Sequence, residues 1–554
     1  MAQRIRLEMN DWLYNAGLVG LYNILVHSGE KVKMNEQGIE MDQSQLENFE
    51  ERYFTYFIEK YEVYLSWYKI ISYKDVLTYH QKQNFNSFGE EELDSLNQYI
   101  KDVKHYLSSN SYKAAYELIG SQVTLLELAK KLQTIKLKKK ETIGEKLIEI
   151  KETVNKLNEI IGHCMEEDYK KYLAGKNVIY TIIKNGWNGV SILNPQTKEK
   201  DIYMDYKNYF VKPVEDYMGD DKSTKKYNCF TCDREMKDLK NDLSFLNQVG
   251  FDVSRKASHT WDFVNDIAIC PICKLVFSCV PAGMTYVYSK GIYINDNNSF
   301  QRAVNVNQRI KSEILKEHED NRLLTYRALV KSIQEQIHEK IKYELADIQV
   351  IRYEEEKYRF NILTRQMIKI IQQSKHSLGY IHNSGFKEVN TYFNIYELVI
   401  ERVLNNQNLF TLIHKLLSYK LSSPKNCRFT TSQVISVLEI NFRFLEGMGY
   451  MQNADQDMIK KANVSGYYLR EQYKVKGAKD KLNGVSYRLL NALKTNKKDM
   501  FMDTLLNCYL YAQKTVPSIF LDALEDEEKY KTIGYAFVAG LIEGKDHQNK
   551  EGDQ

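Results

Sequence analysis

Two short cysteine pairs, Cys229-Phe-Thr-Cys232 and Cys270-Pro-Ile-Cys273, constrain this chain more than any other feature. Two intervening residues let one tight turn aim both sulfurs at a common point, and two such knuckles supply the four thiolates of a tetrahedral metal site. Pro271 stiffens the second turn. Eight cysteines scattered at random over 554 residues would give on the order of 0.1 such pair. The competing readings are two unrelated reduced pairs or a disulfide; a thioredoxin-type redox motif would account for one pair and leave the other unexplained. The expected ligands are therefore Cys229, Cys232, Cys270 and Cys273 around a structural Zn²⁺, because four sulfurs leave no open position for catalysis. The loop between them, Asp233–Ile269, is longer than the usual zinc-ribbon insert. His259 and Cys279 lie close enough in sequence to replace a ligand, whereas His163-Cys164 has no partner at metal spacing and reads as structural.

The length of 554 residues leaves room for two to four domains. Aromatic residues at 12% and apolar residues at 43% belong to a folded chain, and only 6 prolines point to long helical segments. Lys+Arg 77 against Asp+Glu 73 leaves a net charge of +4, so any nucleic-acid surface has to come from uneven placement of charge. Met1–Trp12 carries two arginines and two acidic residues without an apolar run, and the uncharged stretch Leu275–Ser289 contains Pro281 and Gly283 and is too short to span a bilayer. The expectation is a cytoplasmic chain with reduced thiols and no membrane contact.

Periodicity divides the chain into four expected segments, which together make an α+β, predominantly α-helical protein with a mixed zinc-bearing middle domain and a C-terminal helical bundle. Residues 1–175 should be mainly helical with a β-hairpin. They open with the glycine-punctuated Asp11–Gly20, followed by a hairpin over Lys31–Met41 and an aromatic helix whose Phe54, Phe57, Tyr61, Tyr64 and Tyr68 share one face as core. The basic block Lys136, Lys138, Lys139 and Lys140 reads as a solvated helix end. In residues 176–300 short apolar runs (Val178–Ile183, Val190–Leu193, Ile202–Tyr206) alternate with turns, and a hairpin is expected around Lys290-Gly291. Residues 301–425 carry a helical stripe from Leu323 through Tyr326, Val330, Ile333 and Ile337 to Ile341, then a hairpin across Glu354–Lys357. Residues 426–554 show three helical stripes: Ile435/Leu438/Phe442/Leu445, Phe501/Leu505/Cys508/Ala512 and Ile533/Phe537/Leu541.

Signatures of catalysis are missing. Gly175-Lys176 and Gly544-Lys545 do not complete a phosphate loop, His338-Glu339 lacks the second histidine of HExxH, and no GxSxG elbow occurs. Glu354-Glu355-Glu356 falls in a hairpin turn as a solvated cluster. The expectation is a protein that is not an enzyme. The alternative is a zinc-containing nucleic-acid-processing enzyme whose catalytic residues follow no known pattern.

Between Lys460 and Lys498 eleven basic residues face only Glu471 and Asp480, with Tyr467, Tyr468, Tyr473 and Tyr487 interleaved. Such a stretch can follow a phosphate backbone while tyrosines pack on sugars or bases, or it can be the solvated surface of a bundle. The candidate DNA-binding residues are Lys474, Lys476, Lys479, Lys481, Arg488, Lys494, Lys497 and Lys498. Asp522–Glu528 downstream is acidic, so the bundle should carry charge of opposite sign on two sides. Loops such as Lys184–Gly189 and Asn295–Gln301 have donors suited to base edges, as most polar loops do.

The paired cysteines, the opening Asp11-Trp-Leu-Tyr-Asn-Ala-Gly17, and Tyr487-Arg-Leu-Leu-Asn-Ala-Leu-Lys494 followed by Phe501-Met-Asp-Thr-Leu-Leu506 together resemble the CRISPR-associated CXXC-CXXC family, the large subunits of type I-B Cascade. The resemblance implies a subunit that recognises a short flanking motif (the PAM) on target double-stranded DNA while guide RNA reads the sequence, and that helps start strand separation. It also implies partners: the guide RNA–protein Cascade complex with its backbone subunits, guide-handle-binding subunit and small subunits, and a helicase-nuclease recruited to cut. The C-terminal bundle would resemble a Cascade small subunit, and an internal start at Met367, Met448 or Met451 could produce one separately.

Overall fold

A computed structural model describes residues 4–119, 125–138, 141–220, 226–248, 267–287, 290–316, 327–331, 348–354, 356–452, 455 and 457–543. The protein is 64% helical with some small sheets, an α+β chain dominated by helix. Two units emerge, one of Met1–Arg322 with Ile351–Phe360 and one of Leu323–Val350 with Asn361–Gln554. The expected segments 1–175 and 176–300 both fall in the first unit, 301–425 is divided, and 426–554 lies in the second.

The first unit opens on a strand that periodicity did not mark. In β1 (Arg4–Glu8) only Ile5 and Leu7 turn inward. This strand pairs antiparallel with β3 (Gly38–Asp42), which also takes the short β2 (Lys33–Met34), so the expected hairpin is the far part of a three-stranded sheet. Between β1 and β2 runs α1 (Trp12–His27), started by Asp11, whose carboxylate accepts from the backbone amides of Leu13 and Tyr14 at 2.8 and 3.0 Å. Most of α1 is buried on every side, which a helix tolerates only at the centre of a core.

The expected aromatic helix is interrupted. Phe54 and Phe57 lie on α2 (Phe49–Lys60), which stops at the buried Tyr61; a short 3₁₀ turn and the helix Ser66–Ile71 carry Tyr64 and Tyr68, both partly buried. The break is satisfied by the side-chain carbonyl of Asn177, which accepts from Ser66 Oγ, the Trp67 amide and Tyr112 OH at 2.7, 3.0 and 2.9 Å. Two further helices matter below: α3 (Glu90–Leu107) and α4 (Leu125–Lys131). The apolar runs after residue 176 are short helices, Gly175–Thr181 and Ile202–Tyr206, the latter continued through a π-turn into Lys212–Gly219. Runs this short do not separate helix from strand by period.

Next come β4 (Tyr227–Asn228), β5 (Glu235–Met236), α5 (Pro271–Ser278) and α6 (Val280–Gly283). The hairpin expected near Gly291 is β6 (Thr285–Val287) with β7 (Lys290–Asn295), Val287 opposite Lys290. It continues into a four-stranded sheet with β8 (Ile348–Glu354) and β9 (Lys357–Leu363), and α7 (Phe300–Lys316) follows β7. Of the expected stripe from Leu323 to Ile341, only Val330 lies within the described residues, on a helical stretch at 327–331 where it is buried. The core of this unit is organised by close backbone approach. A methyl group added at Gly17 would lie 2.4 Å from the Val276 carbonyl, at Gly20 2.0 Å from that of Cys279, and at Gly283 1.8 Å from that of Ala16. Only glycine lets α1 seat directly on α5 and α6.

Lys311 of α7 ends inside this core, donating to Tyr56 OH at 2.9 Å and to the Ala282 carbonyl at 2.5 Å. Burial, with the like charge of Lys60 second, pushes its amine down to about 7. The unfolded value is about 10.4, so between about pH 7 and 10 the unfolded chain binds the extra proton and stability rises with pH. Asn23 and Tyr56 also donate to the Ala282 carbonyl, at 3.3 and 3.2 Å, so removing the amine orphans nothing. Lys311→Met is therefore expected to stabilise the chain by a few kcal/mol at pH 6–7, with the gain shrinking towards pH 10. Paired melting curves across that range check it; a gain independent of pH would refute the assignment.

The second unit ends in the expected bundle: α8 (Thr431–Gly447), α9 (Met458–Val475), α10 (Lys481–Lys494), α11 (Lys498–Ala512) and α12 (Glu527–Glu543). The three stripes face its core, with Ile435 only half-buried. The α9–α12 crossing repeats the glycine device, since a methyl group at Gly466 would lie 2.1 Å from the Phe537 carbonyl and one at Gly540 2.0 Å from that of Asn463. Among the described residues no helix is long and apolar enough to cross a membrane.

Candidate metal centre

The first cysteine pair sits in the turn between β4 and β5. Their register, Tyr227 opposite Met236 and Asn228 opposite Glu235, leaves six residues to fold back. The Cys229 amide donates to Arg234 O at 2.8 Å, the Asp233 amide to Cys229 O at 2.9 Å, and Asp233 takes φ 56° to close the turn. The second pair opens α5. Cys270 is its N-cap, its sulfur accepting from the Cys273 amide at 3.4 Å, and Pro271 occupies the first turn, where its missing N–H costs nothing. The Phe230 amide donates to Ala268 O at 2.9 Å and the Cys270 amide to Cys229 Sγ at 3.2 Å, so backbone joins the two knuckles before any metal does.

All four sulfurs lie within 4.8 Å of one another, and Cys232 Sγ is 3.7 Å from Cys270 Sγ. Sulfurs at about 2.3 Å from a tetrahedral centre stand about 3.8 Å apart, whereas a disulfide brings two of them to about 2.0 Å. The arrangement fits a metal and excludes the disulfide reading. Cys229, Cys270 and Cys273 are buried and Cys232 partly so. The sulfurs also conflict with one another. Hydrogen bonds from the other three hold Cys229 far below the ordinary thiol range, and the bonds they make to Cys229 push Cys270 and Cys273 well above it. Four thiolates this close ionise together only around a cation.

Two outer features favour that charge. The sulfurs gather at the N-terminus of α5, the positive end of its dipole. Arg234 hydrogen-bonds Arg6 O, and although burial alone would lower its pKa, the neighbouring Cys232 and Cys270 sulfurs hold it above the usual value. The amino-terminal motif and the residue before it brace the same place: Asn10 Nδ2 donates to Thr231 O at 2.6 Å, and Tyr14 packs edge-on against Phe277 at 5.5 Å. Sequence reasoning placed Asp11–Gly17 and the cysteines in separate segments; nothing in their spacing shows that they meet.

Among the described residues no other group of three or more metal-type ligands comes together. Cys279 and Cys164 are buried, their thiols pushed up to about 12 chiefly by burial, and His163 pairs with Glu166 at 2.6 Å. His259 lies outside the described residues.

The basic stretch of the bundle lies on α9, the 476–480 loop, α10 and the start of α11. Lys476, Lys479, Lys481, Arg488, Lys494 and Lys497 are exposed, while Lys474 and Lys498 are half-buried. Lys474 pairs with Glu471 at 2.6 Å, Lys476 donates to Tyr511 O at 2.8 Å and Lys498 to Leu524 O at 3.2 Å, so these three are partly committed within the fold. Lys476 and Lys481 stand over the ring of Tyr511 at 5.4 and 5.0 Å, a tyrosine the sequence reading did not select. Tyr473 is buried against Tyr511, which removes it as a stacking surface, whereas Tyr468 and Tyr487 are exposed. Of the two polar loops, Asn295 is tied to Asn15 at 3.0 Å.

A family model described as a CRISPR-associated protein (Cas_CXXC_CXXC) matches residues 222–285, the segment that carries both knuckles. No curated protein and no solved structure matches the chain. The four-cysteine segment is thus similar to a CRISPR-associated family whose name states the same paired spacing.

Proposed function

We propose that this chain is the large subunit of a type I-B Cascade complex, which recognises the PAM on double-stranded DNA, helps open the duplex for the guide RNA and recruits a helicase-nuclease. The observation that carries the reading is the cluster of four sulfurs, all within 4.8 Å of one another, inside the segment that matches the CRISPR-associated family. The ion is Zn²⁺, the usual occupant of four thiolates, in a purely structural role. Its partners are the guide RNA, the backbone, guide-handle and small subunits, and target DNA. The chain itself performs no catalysis: a closed sulfur shell has no position for a reacting water. Incubation with labelled DNA or RNA and Mg²⁺ or Mn²⁺ should leave both intact, and specific cleavage would turn the reading towards a nucleic-acid-processing enzyme.

The decisive experiment assembles the complex with and without this chain and measures binding to duplexes that differ only in the flanking motif. Discrimination should vanish when the chain is omitted. Within the assembled complex, changing Lys476, Lys479, Lys481 and Lys494 to Gln should weaken DNA binding and flatten the plot of log affinity against log salt by up to about 3.6, near 0.9 per lost phosphate contact. An unchanged slope would remove the basic stretch from the DNA path.

A further inference from the structure

The structure assigns a second nucleic-acid contact, in the first unit: a groove between α3, α4 and the extended segment 132–138 that holds a phosphodiester backbone. On α3, Lys101, Lys104 and His105 stand at positions i, i+3 and i+4, which puts all three on one face. Lys130 at the end of α4, with Gln133 and Thr134, forms the facing wall, enclosing an open groove of about 750 Å³. That wall is fixed. Asn97 clamps the extended segment through both its amide atoms, at 2.8 and 2.7 Å from the Ile135 carbonyl and amide, and Lys104 donates to Leu132 O at 2.8 Å.

The charge in this groove is one-sided. Among the described residues its lining holds three lysines and a histidine and no carboxylate. None of the three lysines forms an ion pair among the described residues, and Asp102 on the same helix accepts from Gln98 at 3.0 Å. Some lysines elsewhere in this unit are matched to carboxylates, Lys171 to Glu51 at 2.7 Å, Lys200 to Glu117 at 2.9 Å and Lys207 to Glu50 at 2.9 Å; those of the groove are gathered on one concave surface without such a partner. Unmatched ammonium groups that share a concave surface repel one another, and a polyanion relieves that repulsion. Exposed Lys136 and Lys138 continue the charge along the extended segment, farther than one isolated phosphate can reach. Among the described residues no aromatic side chain lines the groove, so it follows the backbone and reads no bases.

The choice of nucleic acid among polyanions rests on the function proposed above; the charge geometry does not. The test uses the full chain, fluorescent 20-nucleotide single-stranded DNA, single-stranded RNA and duplex DNA, and a salt titration of each. Lys101 and Lys130 are exposed and their side chains form no hydrogen bond among the described residues, so Lys101→Glu with Lys130→Glu should leave the melting temperature unchanged; Lys101→Met with Lys130→Met serves as the uncharged counterpart. The expected result is about tenfold weaker binding at low salt and a slope shallower by about 1.5. Loss confined to the RNA arm assigns the groove to guide RNA, and loss confined to a DNA arm assigns it to target. Unchanged affinity and slope in all three arms, with the wild-type chain binding normally, overturns the groove and leaves the proposed function standing. A wild-type chain that binds none of the three likewise overturns the groove, and the proposed function is decided separately by the assembled complex.

Discussion

Replacing Cys229 and Cys270 together by serine is expected to abolish bound metal and to lower the stability of the first unit by more than about 3 kcal/mol. Each serine removes a thiolate from a shell that needs four, and structural zinc contributes on the order of 10 kcal/mol to folding in isolated small modules. The larger core here softens that figure, because Phe230–Ala268 and Cys270–Cys229 contacts already join the knuckles. Elemental analysis should find one metal per wild-type chain and none in the double variant. Chelation of the wild type should reproduce the loss, while Cys279→Ser, outside the sulfur cluster, should keep its metal. Material that contains no metal and melts unchanged in the serine variant would refute the site.

The second large effect is expected at a residue with no chemistry. Gly540→Ala places a methyl group 2.0 Å from the Asn463 carbonyl, and Gly466→Ala places one 2.1 Å from that of Phe537. Backbone cannot yield as a side-chain tip does, so α9 and α12 must part and lose the packing along their crossing. Either change should cost about 3 kcal/mol or more and lower the melting temperature of the second unit by about 6–12 °C. Gly484→Ala on α10 is the matched control, because nothing lies within 4 Å of the added methyl. It should stabilise by up to about 1 kcal/mol through helix propensity alone. Equal melting temperatures for Gly540→Ala and Gly484→Ala would show that the crossing is not tight.

What could be seen in the sequence was local. Two residues between cysteines is a spacing constraint, and it carried directly into four converging sulfurs. Hairpins around Gly291 and across Glu354–Lys357, and the apolar stripes of the bundle, are likewise written in neighbouring residues. What escaped depends on meetings between distant ones. β1 shows only two inward residues, and its partner Gly38–Asp42 lies thirty residues away. Gly17, Gly20 and Gly283 read as punctuation until the opposing carbonyls are in place. The basic stretch was visible as a run of charge, but not the loss of Tyr473 to the core or of Lys474 to Glu471. The groove on α3 was hidden for a different reason: Lys101, Lys104 and Lys130 are unremarkable apart, and only the fold of 132–138 makes a wall of them.

The burial of Trp12–His27 has a consequence for biosynthesis. Its seat, around Val276 and Ala282, is encoded far downstream; Asn23 and Ala282, which hydrogen-bond in the finished protein, are 259 residues apart. At about 5–20 residues per second, a ribosome takes on the order of 10–50 s to deliver that seat. For that interval the nascent chain trails an oily, unpartnered segment, so yield in the cell should depend on chaperone capacity and on translation speed between those two points as much as on the stability of the finished molecule.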